Sequence, residues 1–153
     1  MNNLQTVDYV DLDKFMGDWY VIANIPTWFE KGAHNALEQY LWNEKGYIDV
    51  IFSFNKNSFS GERKKLTQKA FIYNKTTNAE WRIQPFWPLK LPYLVIDLDK
   101  EYQYTVIGYP SRNYVWIMSR SKSLDKQTLS SIYERLEDQG YDISLIQQVP
   151  HSR

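Results

Sequence analysis

The stretch Gly17-Asp18-Trp19-Tyr20 opens the first segment of the chain in which apolar side chains recur at every second position. A short turn sequence over residues 11–16 leads into it. Strict alternation of this kind predicts a β-strand that buries one face and exposes the other. Four apolar residues share one parity in the segment and are expected to point the same way: Trp19, Val21, Ala23 and Ile25.

A similar pattern lies far downstream, in Tyr114-Val115-Trp116-Ile117-Met118-Ser119-Arg120. Large side chains again share one parity, at Tyr114, Trp116 and Met118. The pattern predicts a second half-buried strand, which ends on an arginine.

Six more short segments between these two read as strands separated by turn signals such as Gly46, the polar run 55–61 and Pro110. One helix is predicted over 125–140, where apolar residues recur at helical spacing between an Asp125 N-cap and Gly140. A last strand is predicted over 143–149. The eight strands are expected over 18–25, 36–43, 47–54, 62–74, 79–86, 93–99, 102–109 and 113–120.

Eight consecutive strands joined by short loops form a meander, and closure into a barrel removes its exposed edges. We therefore predict an all-β domain spanning residues 1–153. It is an eight-stranded antiparallel up-and-down barrel with one C-terminal α-helix packed on the outside. In such a barrel the start of the first strand and the end of the eighth lie at the same end, so Trp19 and Arg120 become neighbours. A guanidinium over an indole face contributes roughly 0.5–2 kcal/mol.

Several motifs together resemble the lipocalin family, and within it the bacterial outer-membrane lipoprotein branch and the plant temperature-induced lipocalins. The resemblance extends from about Asp11 to Val149. A structural motif of Gly17, Trp19, Tyr102 and Arg120 is expected at the closed end of the barrel. The matching stretches are Gly17-Asp18-Trp19-Tyr20, Phe29-Glu30-Lys31-Gly32, Tyr93-Leu94-Val95-Ile96-Asp97-Leu98-Asp99, Tyr114-Val115-Trp116-Ile117-Met118-Ser119-Arg120 and Gly140-Tyr141-Asp142.

The resemblance implies a protein that binds, stores or transports a fatty acid or lysophospholipid, in membrane maintenance or stress. It also implies a place in the cell envelope, at the outer membrane or in the periplasm. The bacterial members carry a lipid-modified cysteine, whereas this sequence has no Cys and shows no signal-peptide pattern. A cytoplasmic location therefore stays open.

The ligand is expected inside the barrel, against an apolar wall, and at the mouth of the barrel, which two apolar loops around Trp28 and Trp87 form. These loops either fold inward as a lid, admit lipid, or touch a membrane or a second copy of the chain. The predicted ligand-binding residues are Val21, Ala23, Trp28, Phe29, Tyr40, Phe86, Trp87, Tyr93, Tyr114, Trp116 and Met118.

The composition argues against other classes of function. Eighteen basic and eighteen acidic residues cancel, which is not typical of a nucleic-acid-binding protein. The two histidines, His34 and His151, are too few for a histidine-based metal site, and no cofactor-binding fingerprint is present. Asp97 and Asp99 form the nearest thing to a catalytic carboxylate pair, but such pairs more often stabilise turns. We predict no metal, no cofactor and no catalytic residue.

Two other hypotheses stay open beside lipid binding. One is a module that binds a protein partner or forms a homodimer through its apolar loops. The other is a lipocalin-fold enzyme that acts on an apolar substrate and uses a tyrosine or aspartate as its acid–base group.

Overall fold

Eight antiparallel strands close into a barrel in the computed structural model, which describes residues 3–153. Each strand pairs with the next one along the chain, and β1 also pairs with β8, which completes the ring. The predicted fold class is confirmed. The strands are β1 (Gly17–Ile25), β2 (Ala33–Trp42), β3 (Ile48–Lys56), β4 (Arg63–Ile72), β5 (Glu80–Gln84), β6 (Leu91–Leu98), β7 (Tyr104–Gly108) and β8 (Val115–Ser119).

Two α-helices flank the barrel within the described residues: a single turn, α1 (Leu12–Phe15), and α2 (Lys126–Asp138). The carboxylate of Asp125 caps α2 by accepting a hydrogen bond from the Thr128 backbone N–H at 2.7 Å. Gly140 follows the helix with φ +92°, the left-handed conformation that glycine adopts freely. Over residues 3–153, no helix has the length and apolar character needed to cross a membrane.

The strand predicted over 143–149 is much shorter than expected. Residues Ile143–Leu145 form a 3-10 turn, and only Gln147–Gln148 form a strand, β9. It pairs with β1 at Ala23 and Asn24, beyond the point where β2 leaves β1. The C-terminal segment therefore covers the part of β1 that β2 does not reach.

A β-bulge in β1 corrects one sequence prediction. The register of β1 against β8 shifts between Val21 and Ala23, so the extra residue reverses the alternation. Val21 stays inside the barrel, but Ala23 and Ile25 face the outside. The expectation that these four alternating residues point the same way is therefore wrong for Ala23 and Ile25.

Apolar side chains therefore form two cores. The inner core fills the closed half of the barrel, and the outer core lies between the sheet and α2. Ala23 and Ile117 pack in the outer core with Ile132 and Leu136, which lie one turn apart on α2. The outer core fixes the helix against the strands opposite the cavity described below.

Arg120 joins the segments that meet at the closed end. Its guanidinium carbon lies 3.7 Å from the centroid of the Trp19 ring. Its nitrogens donate to the backbone oxygens of Asp18 at 2.8 Å and Phe15 at 3.1 Å. Gly17 has φ +104°, and a Cβ there would lie 3.4 Å from the guanidinium. That distance is an ordinary van der Waals contact, so it is the positive φ that favours glycine at this position.

Tyr102 ties the β6–β7 turn to the same end of the barrel. Its hydroxyl accepts a hydrogen bond from the Asp11 backbone N–H at 2.8 Å, just before α1. Its own carbonyl accepts from Arg120 Nε at 3.4 Å. The four residues of the predicted structural motif therefore converge at this end.

Candidate functional site

A cavity of about 440 Å³ occupies the open half of the barrel. It lies between the loops that follow β1 and β5 and the inward side chains of the strands below them. Its lining is mostly apolar and aromatic, as in most small-molecule sites. The lining residues are Thr27, Trp28, Phe29, Glu30, Glu38, Phe52, Leu66, Gln68, Ile83, Pro85, Leu91, Pro92, Tyr93, Tyr109, Tyr114 and Trp116.

A column of aromatic rings fills the barrel below the cavity. Trp81 lies at its centre, with its ring centroid 5.5 Å from Phe15, 5.6 Å from Tyr40 and 5.6 Å from Tyr93. The hydroxyls of Tyr40 and Tyr93 are hydrogen-bonded to each other, and burial raises the pKa of both phenols. These rings form a floor, so a ligand can occupy only the upper half of the barrel.

Glu30 projects into the cavity from the loop between β1 and β2. It belongs to a 3-10 turn, Trp28–Glu30, and is 5% exposed. Its Oε1 accepts hydrogen bonds from Trp116 Nε1 at 2.7 Å and from Asn24 Nδ2 at 3.4 Å. Burial raises the pKa of Glu30 to about 7, although the hydrogen bond from Trp116 opposes the shift.

Glu38 lines the cavity from β2 and is the inward residue next to Tyr40. It is 6% exposed, and its carboxyl group makes no side-chain hydrogen bond to any other residue in 3–153. Burial and, to a smaller extent, the nearby charge of Glu30 together raise the pKa of Glu38 to about 8. Two acidic groups therefore share one apolar cavity, and both are held more weakly acidic than a carboxyl group in water.

Large apolar side chains crown the open end. Trp28 and Trp87 are each 83% exposed, and Phe86 and Leu89 beside Trp87 are also exposed. We call these four residues the aromatic rim. Apolar groups of this size facing water at a cavity mouth indicate a surface that meets something apolar.

The predicted ligand-binding residues fall into four groups, and their contact with a ligand stays a prediction. Phe86 and Trp87 stand on the rim outside the cavity lining. Ala23 was expected on the inner wall and instead faces α2, because of the bulge in β1. Five line the cavity, namely Trp28, Phe29, Tyr93, Tyr114 and Trp116, and three lie in the filled inner core, namely Val21, Tyr40 and Met118.

Sequence reasoning missed both carboxyl groups. Glu38 stands between Ala36 and Tyr40 at the inward parity of β2, and all three are buried. A charged residue at an inward position was the available signal. The other lining residues that were not predicted to bind a ligand are Thr27, Phe52, Leu66, Gln68, Ile83, Pro85, Leu91, Pro92 and Tyr109.

The aspartate pair considered for catalysis is engaged elsewhere. Asp97 accepts a hydrogen bond from Arg135 of α2 at 2.7 Å, and Asp99 accepts one from the Gln103 backbone N–H within the β6–β7 turn. In the part of the chain that the structure describes, no group of three or more His, Asp or Glu side chains is arranged to hold a metal ion.

Comparison with known proteins assigns the chain to a family. A family model described as a lipocalin-like domain matches residues 10–151. Temperature-induced lipocalin-1 of Arabidopsis thaliana is 30% identical, with 97% of this chain and 83% of the relative covered. The outer membrane lipoprotein Blc of Vibrio cholerae is 27% identical, with 92% and 82% covered. Insecticyanin from the tobacco hornworm Manduca sexta shares the fold, with a TM-score of 0.76 at 20% identity over 99% of this chain and 86% of that one. The chain therefore belongs to the lipocalin family.

Proposed function

We propose that this protein binds one single-chain lipid, a fatty acid or lysophospholipid, in the barrel and stores or transports it for membrane maintenance or under stress. The observation that carries the proposal is the closed-bottomed apolar cavity of about 440 Å³, which opens between exposed apolar loops. This volume falls in the range of ~300–1,000 Å³ that is typical of small-molecule sites.

The energetics support micromolar to high-nanomolar binding. A sixteen-carbon chain buries roughly 15 methylenes at ~0.8 kcal/mol each, about 12 kcal/mol in total. Association costs of about 4–15 kcal/mol offset much of this gain. Because methylene burial is not directional, the apolar wall should accept acyl chains of different structure, with affinity rising by ~0.8 kcal/mol per methylene until the cavity is full.

Two relatives' names bear on location. The relative from Vibrio cholerae is called an outer membrane lipoprotein, and the plant relative is named for its induction by temperature. We propose that the protein acts at a membrane of the cell envelope, with the cytoplasm as the alternative. We also propose that it is a binding protein and not an enzyme.

Filling the cavity should weaken binding without harming the fold. Leu66 of β4 lines the cavity, whereas its neighbour Thr67 is exposed on the outer face. We expect Leu66→Trp to weaken the binding of lysophosphatidylcholine at least about tenfold, because the indole takes the space of the acyl chain. Native mass spectrometry and tryptophan fluorescence titration would measure the loss.

Thr67→Trp is the matched control, since it adds the same ring outside the barrel. It should bind as the unaltered protein does. Equal binding by both variants would contradict a ligand in the cavity. If no lipid copurifies and none binds to the unaltered protein, the result would favour a module that binds a protein partner or forms a homodimer. Size-exclusion chromatography would then test for the dimer. Hydrolysis or oxidation of the added lipid would favour the enzyme hypothesis.

We further propose that the aromatic rim touches the membrane from which lipid enters. Lys31 in the β1–β2 loop and Lys56 at the end of β3 are exposed near this rim, where they can meet lipid phosphates. Tryptophan side chains favour the boundary between water and acyl chains, because their rings are amphipathic.

Removing the two exposed indoles should weaken membrane contact. We expect the double variant Trp28→Ser with Trp87→Ser to bind vesicles of phosphatidylglycerol and phosphatidylcholine at least about tenfold more weakly, because each buried ring contributes ~1.5–3 kcal/mol. Vesicle cosedimentation measures this. Trp42→Ser alters a partly exposed indole at the closed end and serves as the control. A double variant that sediments like the control would refute the rim's role.

A further inference from the structure

The described residues that line the cavity include acidic side chains but no basic ones. Glu30 and Glu38 both line it, together with the neutral side chains of Gln68 and of tyrosines. None of the lining residues that the structure describes is a lysine, arginine or histidine. Arg120 belongs to the closed end, under the aromatic floor, where its nitrogens are bonded to backbone oxygens. An anionic ligand group inside this cavity would therefore face two carboxyl groups and no compensating cation.

Glu38 is the feature that points to a ligand. A buried carboxyl group normally finds hydrogen-bond donors, because burying it without them is costly. Glu38 is 94% buried (6% exposed), lines the cavity and has no side-chain partner among residues 3–153. Glu30, by contrast, is held in place by Trp116 and Asn24. The cavity thus presents one fixed and one unpartnered acceptor group to whatever enters it.

We infer that Glu38 and Glu30 form a subsite for an ammonium group, so that the preferred occupant is a single-chain amphiphile with a primary amine. This inference rests on the proposed lipid-binding function and names the head group. Three N–H donors of an ammonium can satisfy Glu38 and share the Glu30 carboxylate. Glu38 lies beside the floor residue Tyr40, so the head group lies deep in the barrel and the alkyl chain extends toward the aromatic rim. A single-chain amine without a neighbouring anion fits this subsite best, because a fatty acid carboxylate or a lysophospholipid phosphate inside the cavity would face the two carboxyl groups.

The protonation state of the cavity gives the subsite a signature. The titratable groups that face Glu38 are Glu30 from the β1–β2 loop, Tyr40 from β2 and Tyr93 from β6, with Tyr109 and Tyr114 higher in the wall. Because the pKa of Glu38 is raised to about 8, it holds a proton near neutral pH when the cavity is empty. An arriving ammonium stabilises the carboxylate, so this proton is released to solvent.

Three probes with the same chain test the inference: hexadecylamine, hexadecanol and palmitate. Isothermal titration calorimetry near neutral pH, in buffers of different ionisation enthalpy, measures both affinity and protons released. We expect hexadecylamine to bind at least about tenfold more tightly than hexadecanol and to release about one proton. Palmitate should bind more weakly than hexadecanol. Its affinity should fall as the pH rises, whereas that of hexadecylamine should increase.

Variants assign the effect to the two residues. Glu38→Gln and Glu30→Gln should each remove most of the preference for the amine, and Glu38→Gln should also remove most of the proton release, leaving only the share that comes from Glu30. Both should keep hexadecanol affinity within about threefold, since an alcohol needs no carboxylate. Glu134→Gln makes the same chemical change on the exposed face of α2 and should behave as the unaltered protein.

The outcomes separate this inference from the function on which it rests. If hexadecanol and palmitate bind but hexadecylamine has no advantage, the ammonium subsite is wrong and the lipid-binding proposal stands. If the advantage survives in both cavity variants, the assignment to Glu30 and Glu38 is wrong. If none of the three probes binds, both proposals fail.

Discussion

Replacing Trp19 with alanine should lower the free energy of unfolding by about 3–5 kcal/mol, because a large buried ring leaves a cavity that the surroundings fill only in part. Trp19 is completely buried. Its Nε1 donates to the Phe15 carbonyl at 2.8 Å, and Phe15 packs against it at 5.2 Å between ring centroids. The Arg120 guanidinium covers its other side at 3.7 Å. The variant therefore loses packing, a buried hydrogen bond and a cation–π contact together.

Urea denaturation followed by circular dichroism measures this change. Trp87→Ala removes the same side chain from an 83% exposed position and should alter the unfolding free energy by less than about 0.5 kcal/mol. Lipid binding by folded Trp19→Ala should persist, since Trp19 does not line the cavity. Similar stabilities for the two variants would show that the closed end does not depend on its indole.

The division of the barrel into two halves explains why stability and binding can be altered separately. Below the Tyr40–Tyr93 hydrogen bond, rings from α1, β1, β2 and β5 pack against one another. Above it, inward side chains line empty space, and the loops carry exposed apolar groups. Substitutions at Trp19 act on the first half, whereas substitutions at Leu66 act on the second.

The fold could be predicted from the sequence because the alternation of apolar residues and the turn signals are local features. Strand order, the outer helix and the meeting of Trp19 with Arg120 all follow from a closed meander. Bulges are not local in this sense. Nothing in the residues around Ile22 marks the extra residue that turns Ala23 outward, since the shift arises from the pairing of β1 with β8.

The cavity was harder to predict than the barrel. Whether an inward side chain lines empty space or fills the core depends on the size of the side chains that other strands place at the same height in the barrel. Tyr40 and Met118 were expected to line the cavity and instead lie in the filled half, because Trp81 of β5 occupies the centre there. Glu38 could have been noticed from its parity, but a search for apolar walls passes over charged residues.

Glu38→Gln should stabilise the protein increasingly as the pH rises. Burial raises the pKa of Glu38 from its ordinary value of 4.5 to about 8 in the folded chain. Between about pH 4.5 and about pH 8, Glu38 therefore keeps its proton in the folded state, whereas it has lost this proton in the unfolded state. The stabilisation from this proton is complete below the unfolded pKa, and it is lost as the pH rises through the folded pKa. Glutamine has the same size, carries no charge and escapes this penalty.

Each pKa unit corresponds to ~1.4 kcal/mol, so the advantage of Glu38→Gln over the unaltered protein should grow by about 3–5 kcal/mol between about pH 4 and about pH 9. Urea denaturation of both proteins at each pH measures the difference. Titrating groups remote from Glu38 cancel because they are common to the two proteins, whereas Glu30 is coupled to Glu38 through its charge. Glu134→Gln should show no such growth, since that carboxylate is exposed on α2. A pH-independent difference for Glu38→Gln would mean that Glu38 is as acidic in the folded protein as in water. That result would remove the proton release expected on binding an amine, although an already ionised Glu38 would still attract an ammonium group.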